Sequence, residues 1–414
     1  MSLDLDLDQL QRQAEERARE RSLKLAEAQF ELAQEHGFPS WPTLKTYLEA
    51  VRVEHPFRTD LEYYEGRADG IATTSATTVA QARRELAIRH GFKSWRALAG
   101  HLSSLESGAE PPTPFMQAYR AVEEGDGDRL TDLLDRHPEL VRVRGTNGND
   151  LLGMANGLEL VRLLLERGAD PLRGNDYGWT KLHQAGYSNN RALAELMIAH
   201  GARTDLSARG DGGTPLVVAL FWGHRDVVEL LGLEPGNLRV AAGLGKLDLI
   251  RELVGTSAAG AHRGFYRPHG GFPAWEPSED PQQVLDEALA WAARSDRGEA
   301  IALLLELGAR IDADLYRGTA LAWAAANGRV NAIRTLVEHG ADPNQLGTFG
   351  GGGHGSGVAP IHLAAQAGRR EAVEALLDLG ADWRICDGLH DSNAAGWASF
   401  GGHPELAALM EASR

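Results

Sequence analysis

The chain has 414 residues, 43% of them hydrophobic and 24% charged, which is ordinary globular composition for a chain long enough to hold two or more domains. Lys and Arg number 42 against 58 Asp and Glu, and the formal charge of −16 argues against a general binder of phosphate backbones, so nucleic acid is not the expected partner. The single cysteine, Cys386, excludes an intrachain disulfide and a cysteine-built zinc site, and fits a reducing compartment.

No apolar run approaches the ~20 residues that span a bilayer, so no membrane segment is expected. Met1–Leu10 alternates Leu with Asp in place of the basic start and apolar centre of a signal peptide, and a cytoplasmic location is the expectation. Two segments then repeat. Leu25–Leu48 reads LAEAQFELAQEHGFPSWPTLKTYL and Val79–Leu102 reads VAQARRELAIRHGFKSWRALAGHL, coinciding at an offset of 54 through His36/His90, Gly37/Gly91, Phe38/Phe92, Ser40/Ser94 and Trp41/Trp95. Each predicts a helix hairpin: Gly ends the first helix, Phe packs back, Ser caps the next helix, and Trp anchors the corner. His36 and His90 precede the helix-ending Gly, where an imidazole can face the helix dipole. Residues 1–107 are therefore expected to form a helical N-terminal module with two such hairpins. Gly108–Pro114 (GAEPPTP) reads as a linker.

From Phe115 onward a longer unit recurs. It is plainest at Tyr177–Arg203 (YGWTKLHQAGYSNNRALAELMIAHGAR), Tyr316–Asp342 (YRGTALAWAAANGRVNAIRTLVEHGAD) and Val358–Asp382 (VAPIHLAAQAGRREAVEALLDLGAD). A Thr or Ser cap precedes a short Ala/Leu-rich helix, and a Gly turns the chain (Gly223, Gly328, Gly368). A second helix with paired leucines follows, and a Gly closes it where the backbone needs positive φ (Gly168, Gly201, Gly308, Gly340, Gly380). One such unit cannot bury its own apolar face, so units must stack. These residues resemble the ankyrin repeat, with Thr214-Pro215-Leu216, Ala359-Pro360-Ile361-His362 and Lys181-Leu182-His183 at its Thr-Pro-Leu-His start. The upstream hairpins resemble an N-terminal module found in front of ankyrin repeats in bacterial proteins. The resemblance implies an all-α fold, a solenoid of about nine units over 115–414 preceded by a small helical domain. The upstream module then has two readings, a partner-docking unit or a cap on the open end of the stack.

Anchoring each first helix at Leu152, Leu182, Leu216, Leu238, Leu289, Leu321, Ile361 and Ala395 gives spacings of 30, 34, 22, 51, 32, 40 and 34. The 22-residue interval is too short for a hairpin loop. The 51-residue interval holds an insertion near 255–281 and the 40-residue interval a Gly-rich one at 346–357 (LGTFGGGGHGSG); long loops in a compact array are usually functional or disordered. The first insertion carries HRGFYRPHGGFPAWEP, too aromatic for a flexible linker, and reads as an ordered loop packed on the stack.

Two residues past each anchor stands the column Met154, Gln184, Val218, Val240, Trp291, Trp323, Leu363 and Trp397. Its three tryptophans read either as an aromatic wall on the concave face or as filler between repeats. Loop tips add Asn147, Asn149, Asp150, Asp176, Tyr177, Trp179, Arg209, Asp211, Tyr316, Arg317, His354, Asp387, His390 and Asp391. The long insertion adds Arg267 and Trp275. The histidines form no i, i+4 pair and no HExxH; no phosphate loop, dinucleotide fingerprint or nucleophile elbow occurs, so neither metal nor cofactor is expected. The resemblance implies a scaffold that recognises a protein partner through its concave face and loop tips. The alternative is an enzyme or small-molecule binder, for instance a cyclase or dehydratase of secondary metabolism. There the two insertions close an aromatic pocket over a bulky apolar ligand. His269, His354 and Tyr266 would supply acid–base chemistry, with Asp150, Asp176 and Glu276 as carboxylates.

Overall fold

The computed structural model describes residues 7–36, 38–232, 236–264, 277–315, 318–349 and 357–413. The expected site residues Tyr266, Arg267, His269, Trp275, Glu276, Tyr316, Arg317 and His354 lie outside them. The fold is all-α. Among the described residues, strand is limited to one two-residue parallel pair and two isolated bridges. The chain divides into two compact units, 1–176 and 177–414.

The first unit opens with two three-helix groups. The first is α1 (Leu7–Glu20), α2 (Leu25–Glu35) and α3 (Trp41–Arg52), followed by β1 (Glu54–His55). The second is α4 (Leu61–Thr74), α5 (Val79–Arg89) and α6 (Trp95–Glu106). A serine cap and a Phe backbone bond occur in both. Ser40 accepts from the Thr43 N–H at 3.4 Å and Ser94 from the Ala97 N–H at 3.3 Å. The Phe38 and Phe92 N–H groups reach back to the Ala33 and Ala87 carbonyls at 2.8 Å, closing the helix ends, and Gly91 takes φ 78° there. Phe38 and Trp41 pack on Leu10, Ala33, Leu44 and Leu48, while Phe92 and Trp95 pack on a larger core around Tyr64, Leu86 and Leu98.

Two helix pairs complete this unit: α7 (Pro114–Glu124) with α8 (Gly127–Arg136), then, beyond β2 (Arg144–Gly145), α9 (Leu151–Met154) with α10 (Leu158–Glu166). Contacts cross the expected linker and explain why the compact unit runs through to Asp176. β1 pairs with β2, and Phe57 stacks on Tyr119 at 4.8 Å. The buried His90 links the Leu86 carbonyl and the Thr146 hydroxyl, each at 2.8 Å. Arg89 bridges Glu54 and Asp176.

The second unit is a stack of helix pairs: α11 (Lys181–Tyr187) with α12 (Arg191–Ala199); α13 (Pro215–Trp222); α14 (Leu238–Leu244) with α15 (Leu247–Leu253); α16 (Pro281–Arg294) with α17 (Gly298–Glu306); α18 (Ala320–Ala326) with α19 (Val330–Glu338); α20 (Pro360–Gln366) with α21 (Arg370–Asp378); and α22 (Ala394–Phe400) with α23 (Pro404–Ala412). First helices pack on first helices and second on second, burying one continuous Ala/Leu/Ile core from Leu238 to Met410. The short interval has a structural counterpart. Among the described residues after α13 no second helix forms; residues 226–230 are turns, and Val227, Val228 and Leu231 are still buried.

The end of the long insertion is absorbed into helix. α16 starts at Pro281 behind an Asp280 cap and runs 14 residues, twice the seven of α14 or α18. The Gly-rich insertion is pinned at its base by the Gly347–Val358 bridge and by Asp314, whose carboxylate accepts from the Thr348 N–H at 2.7 Å.

Candidate interaction site on the first helices

A column five residues past each anchor sits one helical turn beyond the tryptophan column, so both belong to one helix face. In the second unit it reads Tyr187, Phe221, Gly243, Arg294, Ala326, Gln366 and Phe400. Its ends are open, with Tyr187 46% exposed and Phe400 84% exposed. Its middle is shut, with Phe221 at 4% and Arg294 at 2%. The helix chemistry is the same throughout, so the difference lies in what surrounds each position.

The middle is an aromatic cage around a cation. The Arg294 guanidinium carbon lies 3.7 Å from the Trp323 ring centroid, 4.5 Å from Phe221 and 5.7 Å from Trp291. Such stacking is worth about 2 kcal/mol when the cation is desolvated. Phe349, from the base of the Gly-rich insertion, stacks on Trp323 at 4.8 Å. Arg239 lies 5.4 Å from Trp291, and the buried Glu287 carboxylate takes Arg263 at 2.6 Å and Arg239 at 3.7 Å. Trp291 and Trp323 are buried, and so is Trp397, whose Nε1–H donates to Asp387 at 2.9 Å. All three tryptophans therefore fill the interior of the face and do not present an open wall.

Toward the start of this unit the same face opens. Trp179 and Tyr187 lie 6.2 Å apart, Tyr187 and Trp222 5.7 Å, and Trp222 and the buried Trp323 6.4 Å. Arg209 stacks over Trp179 at 4.4 Å, with its backbone N–H on the Tyr177 carbonyl at 2.7 Å. Trp179 and Trp222 are half-buried, while Tyr177 is exposed. The expected residues Tyr177, Trp179 and Arg209 are thus brought together. Asp211 binds His262 Nδ1 at 2.8 Å, where the start of the long insertion folds back on this loop. His390 stands apart on the last loop, 6.3 Å from Trp397.

Tyr187, Phe221, Trp222 and Arg294 were not reached by sequence reasoning. They sit one turn beyond the tryptophan column, and extending that column by the helical period would have found them.

Several buried titratable groups serve caps and loops. His183 closes a capping box with Thr180, His362 Nδ1 accepts from the Ala359 N–H at 3.1 Å, and the two imidazoles reach the next loop at the Gly213 and Ile385 carbonyls, both at 3.0 Å. Burial pushes His183 down to about 4 and lowers His362. Burial likewise takes His90 down to about 4. Asp150 caps α9 and is raised by burial. Burial would raise Asp387, but N–H groups of His390, Trp397, Leu389 and Ser392 outweigh it and hold the carboxyl well below its usual range. Among the described residues no group of three or more His, Cys, Asp or Glu could hold a metal ion, and no helix is long and apolar enough to cross a membrane.

Comparison with known proteins agrees with this stack of helix pairs. The family described as ankyrin repeats (3 copies) matches residues 120–237 and 238–346, and that of the single ankyrin repeat matches 356–388. The chain belongs to the ankyrin-repeat family. Among curated proteins it is 32% identical over 147 residues to human protein fem-1 homolog A, covering 35% of this chain and 20% of that protein. It is 32% identical over 102 residues to mouse protein fem-1 homolog A-like, covering 24% and 15%. It is 26% identical over 120 residues to human transient receptor potential cation channel subfamily A member 1, covering 27% and 11%. The chain thus spans a fifth or less of the length of these relatives. As an ankyrin-repeat chain it is a scaffold of the kind that serves protein interaction.

Proposed function

We propose that this ankyrin scaffold recognises a protein partner through the open aromatic row Trp179, Tyr187 and Trp222, with Arg209 and Tyr177 at its edge. One observation carries the reading: on a helix face whose middle is shut, large aromatic rings remain accessible where the row begins. Trp, Tyr and Arg dominate binding energy at protein interfaces because they bury much area with few rotors and keep a polar tip. Loop tips such as Asp211 and His390 would extend the contact. The first-unit helices support a capping role, since β1, Phe57 and His90 engage the opening repeat where a stack would otherwise end.

The test compares proteins captured from the chain's own cells by the wild type and by the Tyr187→Ala/Trp222→Ala variant. Hot-spot aromatics each contribute about 2 kcal/mol or more, so the double variant should lose the specific partner by well over ~100-fold in affinity. A partner retained equally by both proteins would contradict the assignment.

A further inference from the structure

A basic patch borders the open row. Eight residues past the anchor, where each first helix gives way to its second, the middle units carry Lys246, Arg297, Arg329 and Arg369. All four are N-caps without a side-chain cap bond, although a cation is disfavoured at the positive end of a helix. Each arginine instead reaches the end of the preceding first helix. Arg297 Nε donates to the Gly243 carbonyl at 3.2 Å, Arg329 Nε to that of Arg294 at 3.1 Å, and Arg369 Nε to that of Ala326 at 3.5 Å. That bond does not require a permanent charge: His224 holds the same register and meets the Gly186 carbonyl through Nδ1 at 3.0 Å.

The arginines crowd one another. Arg329 also donates to the Gly223 carbonyl, two residues before Arg225. Arg225 pairs at 3.5 Å with Asp296, the chain neighbour of Arg297, and Asp296 takes the Ala332 N–H of α19 at 2.9 Å. A Cβ at Gly328 would sit 3.0 Å from Arg369 Cδ, so Arg369 lies over the residue before Arg329. Burial lowers the pKa of Arg297 and of Arg329, the charge of Arg225 lowers both further, and that of Arg369 adds to the effect on Arg329, with Asp296 opposing. Among the described residues Asp296 is the only carboxylate paired with any of the four arginines, and Asp226 bonds Asn189 at 2.7 Å. Guanidiniums stay charged under such crowding, and a bound anion would relieve their repulsion. Arg225 and Arg369 are exposed, Arg297 and Arg329 half-buried. Arg225 follows Trp222 by three residues, so patch and row adjoin.

We infer that Arg225, Arg297, Arg329 and Arg369 receive an acidic stretch of a protein partner, whose Asp and Glu carboxylates take the guanidinium edges left to solvent. This rests on the reading of the chain as a protein-binding scaffold, and it adds the charge that the partner carries beside the aromatic row. A guanidinium fork matches a carboxylate with two parallel bonds. The chain's formal charge of −16 disfavours an acidic segment away from this patch, so the patch also sets where such a segment docks.

The test uses the full chain with octaglutamate as probe, octaglutamine as neutral control and poly(U) as a rival polyanion, read by isothermal titration. Octaglutamate should bind saturably at ~25 mM salt and weaken as salt rises past ~150 mM, because exposed charges are screened. Octaglutamine should not bind. Arg225→Gln/Arg369→Gln, changed at the two exposed positions, should unfold close to the wild-type temperature and lose octaglutamate by roughly fivefold or more. Arg225→Lys/Arg369→Lys should keep most of the binding, which a merely structural role of the two arginines does not predict. Tyr187→Ala/Trp222→Ala should bind octaglutamate as the wild type does, since the probe carries no group for the row; failure of the patch and failure of the row are thus read separately. Any of three results would overturn the inference. Octaglutamate does not bind saturably at low salt; or the wild type and the Gln variant bind it equally; or poly(U) binds more tightly than octaglutamate and weakens in the same variant, which would make the patch a nucleic-acid surface.

Discussion

The two ends and the middle of one helix face differ although the sequence builds them alike. Tyr187, Arg294 and Phe400 occupy the same register, five residues past the anchor. Tyr187 and Phe400 stand in water, and Arg294 is enclosed by three aromatic rings. In a repeat array each unit contacts only its neighbours, so burial on this face reflects neighbours and insertions, not the repeat itself. The intervals that depart from regular spacing flank this middle. Phe221 on α13 meets Trp291 and Arg294 at the end of α16, and the base of the Gly-rich insertion sets Phe349 on Trp323.

Substitutions along the face should sharpen this contrast. Trp323→Ala empties the centre and should cost about 3–5 kcal/mol in urea unfolding, whereas Phe400→Ala, at an open end, should change stability by less than about 0.5 kcal/mol. Acid comes next. His183 and His90 titrate near 6.5 when unfolded and at about 4 when folded, so below pH 6.5 the unfolded chain binds protons that the folded chain refuses. Stability should be full above pH 6.5 and fall as pH drops toward about 4, by up to about 3 kcal/mol for each histidine. His183→Gln should begin less stable and show a shallower acid limb in denaturation at stepped pH. Arg294→Ala should then cost about 2 kcal/mol through lost stacking, against less than about 0.5 kcal/mol for Gln366→Ala in the same column. Smallest of all, Tyr187→Ala should leave unfolding within about 0.5 kcal/mol. Similar losses for Arg294→Ala and Gln366→Ala would erase the distinction between middle and end.

Much of the fold was legible because its signals are local. Thr180, Thr214 and Thr319 cap first helices, and Gly168, Gly201, Gly308, Gly340 and Gly380 close second helices at positive φ, as the repeat pattern requires. His183 and His362 bond to carbonyls of the following loops. Capping and packing at Ser40, Ser94, Phe38 and Phe92 likewise involve residues within a few positions of one another. The site was legible only in part. Tyr177, Trp179 and Arg209 are adjacent in the chain or one loop apart, and they meet. The cage around Arg294 joins α13, α16 and α18 across a missing helix and an insertion, and no spacing within one repeat announces it. The tryptophan column was visible, but burial set by neighbours decided that it fills the interior.

The most direct test uses two serines in one register, six residues past their anchors: Ser188, exposed beside Tyr187, and Ser295, buried beside Arg294. In a Cys386→Ser background, Ser188→Cys and Ser295→Cys are placed separately and the rate of thiol labelling is measured on the folded protein. A thiol reacts as an accessible thiolate, so the position 188 thiol should label at a rate near that of a free thiol, and the position 295 thiol slower by at least ~100-fold. Equal rates would show that the middle of the face is as open as its end, and the account would fail.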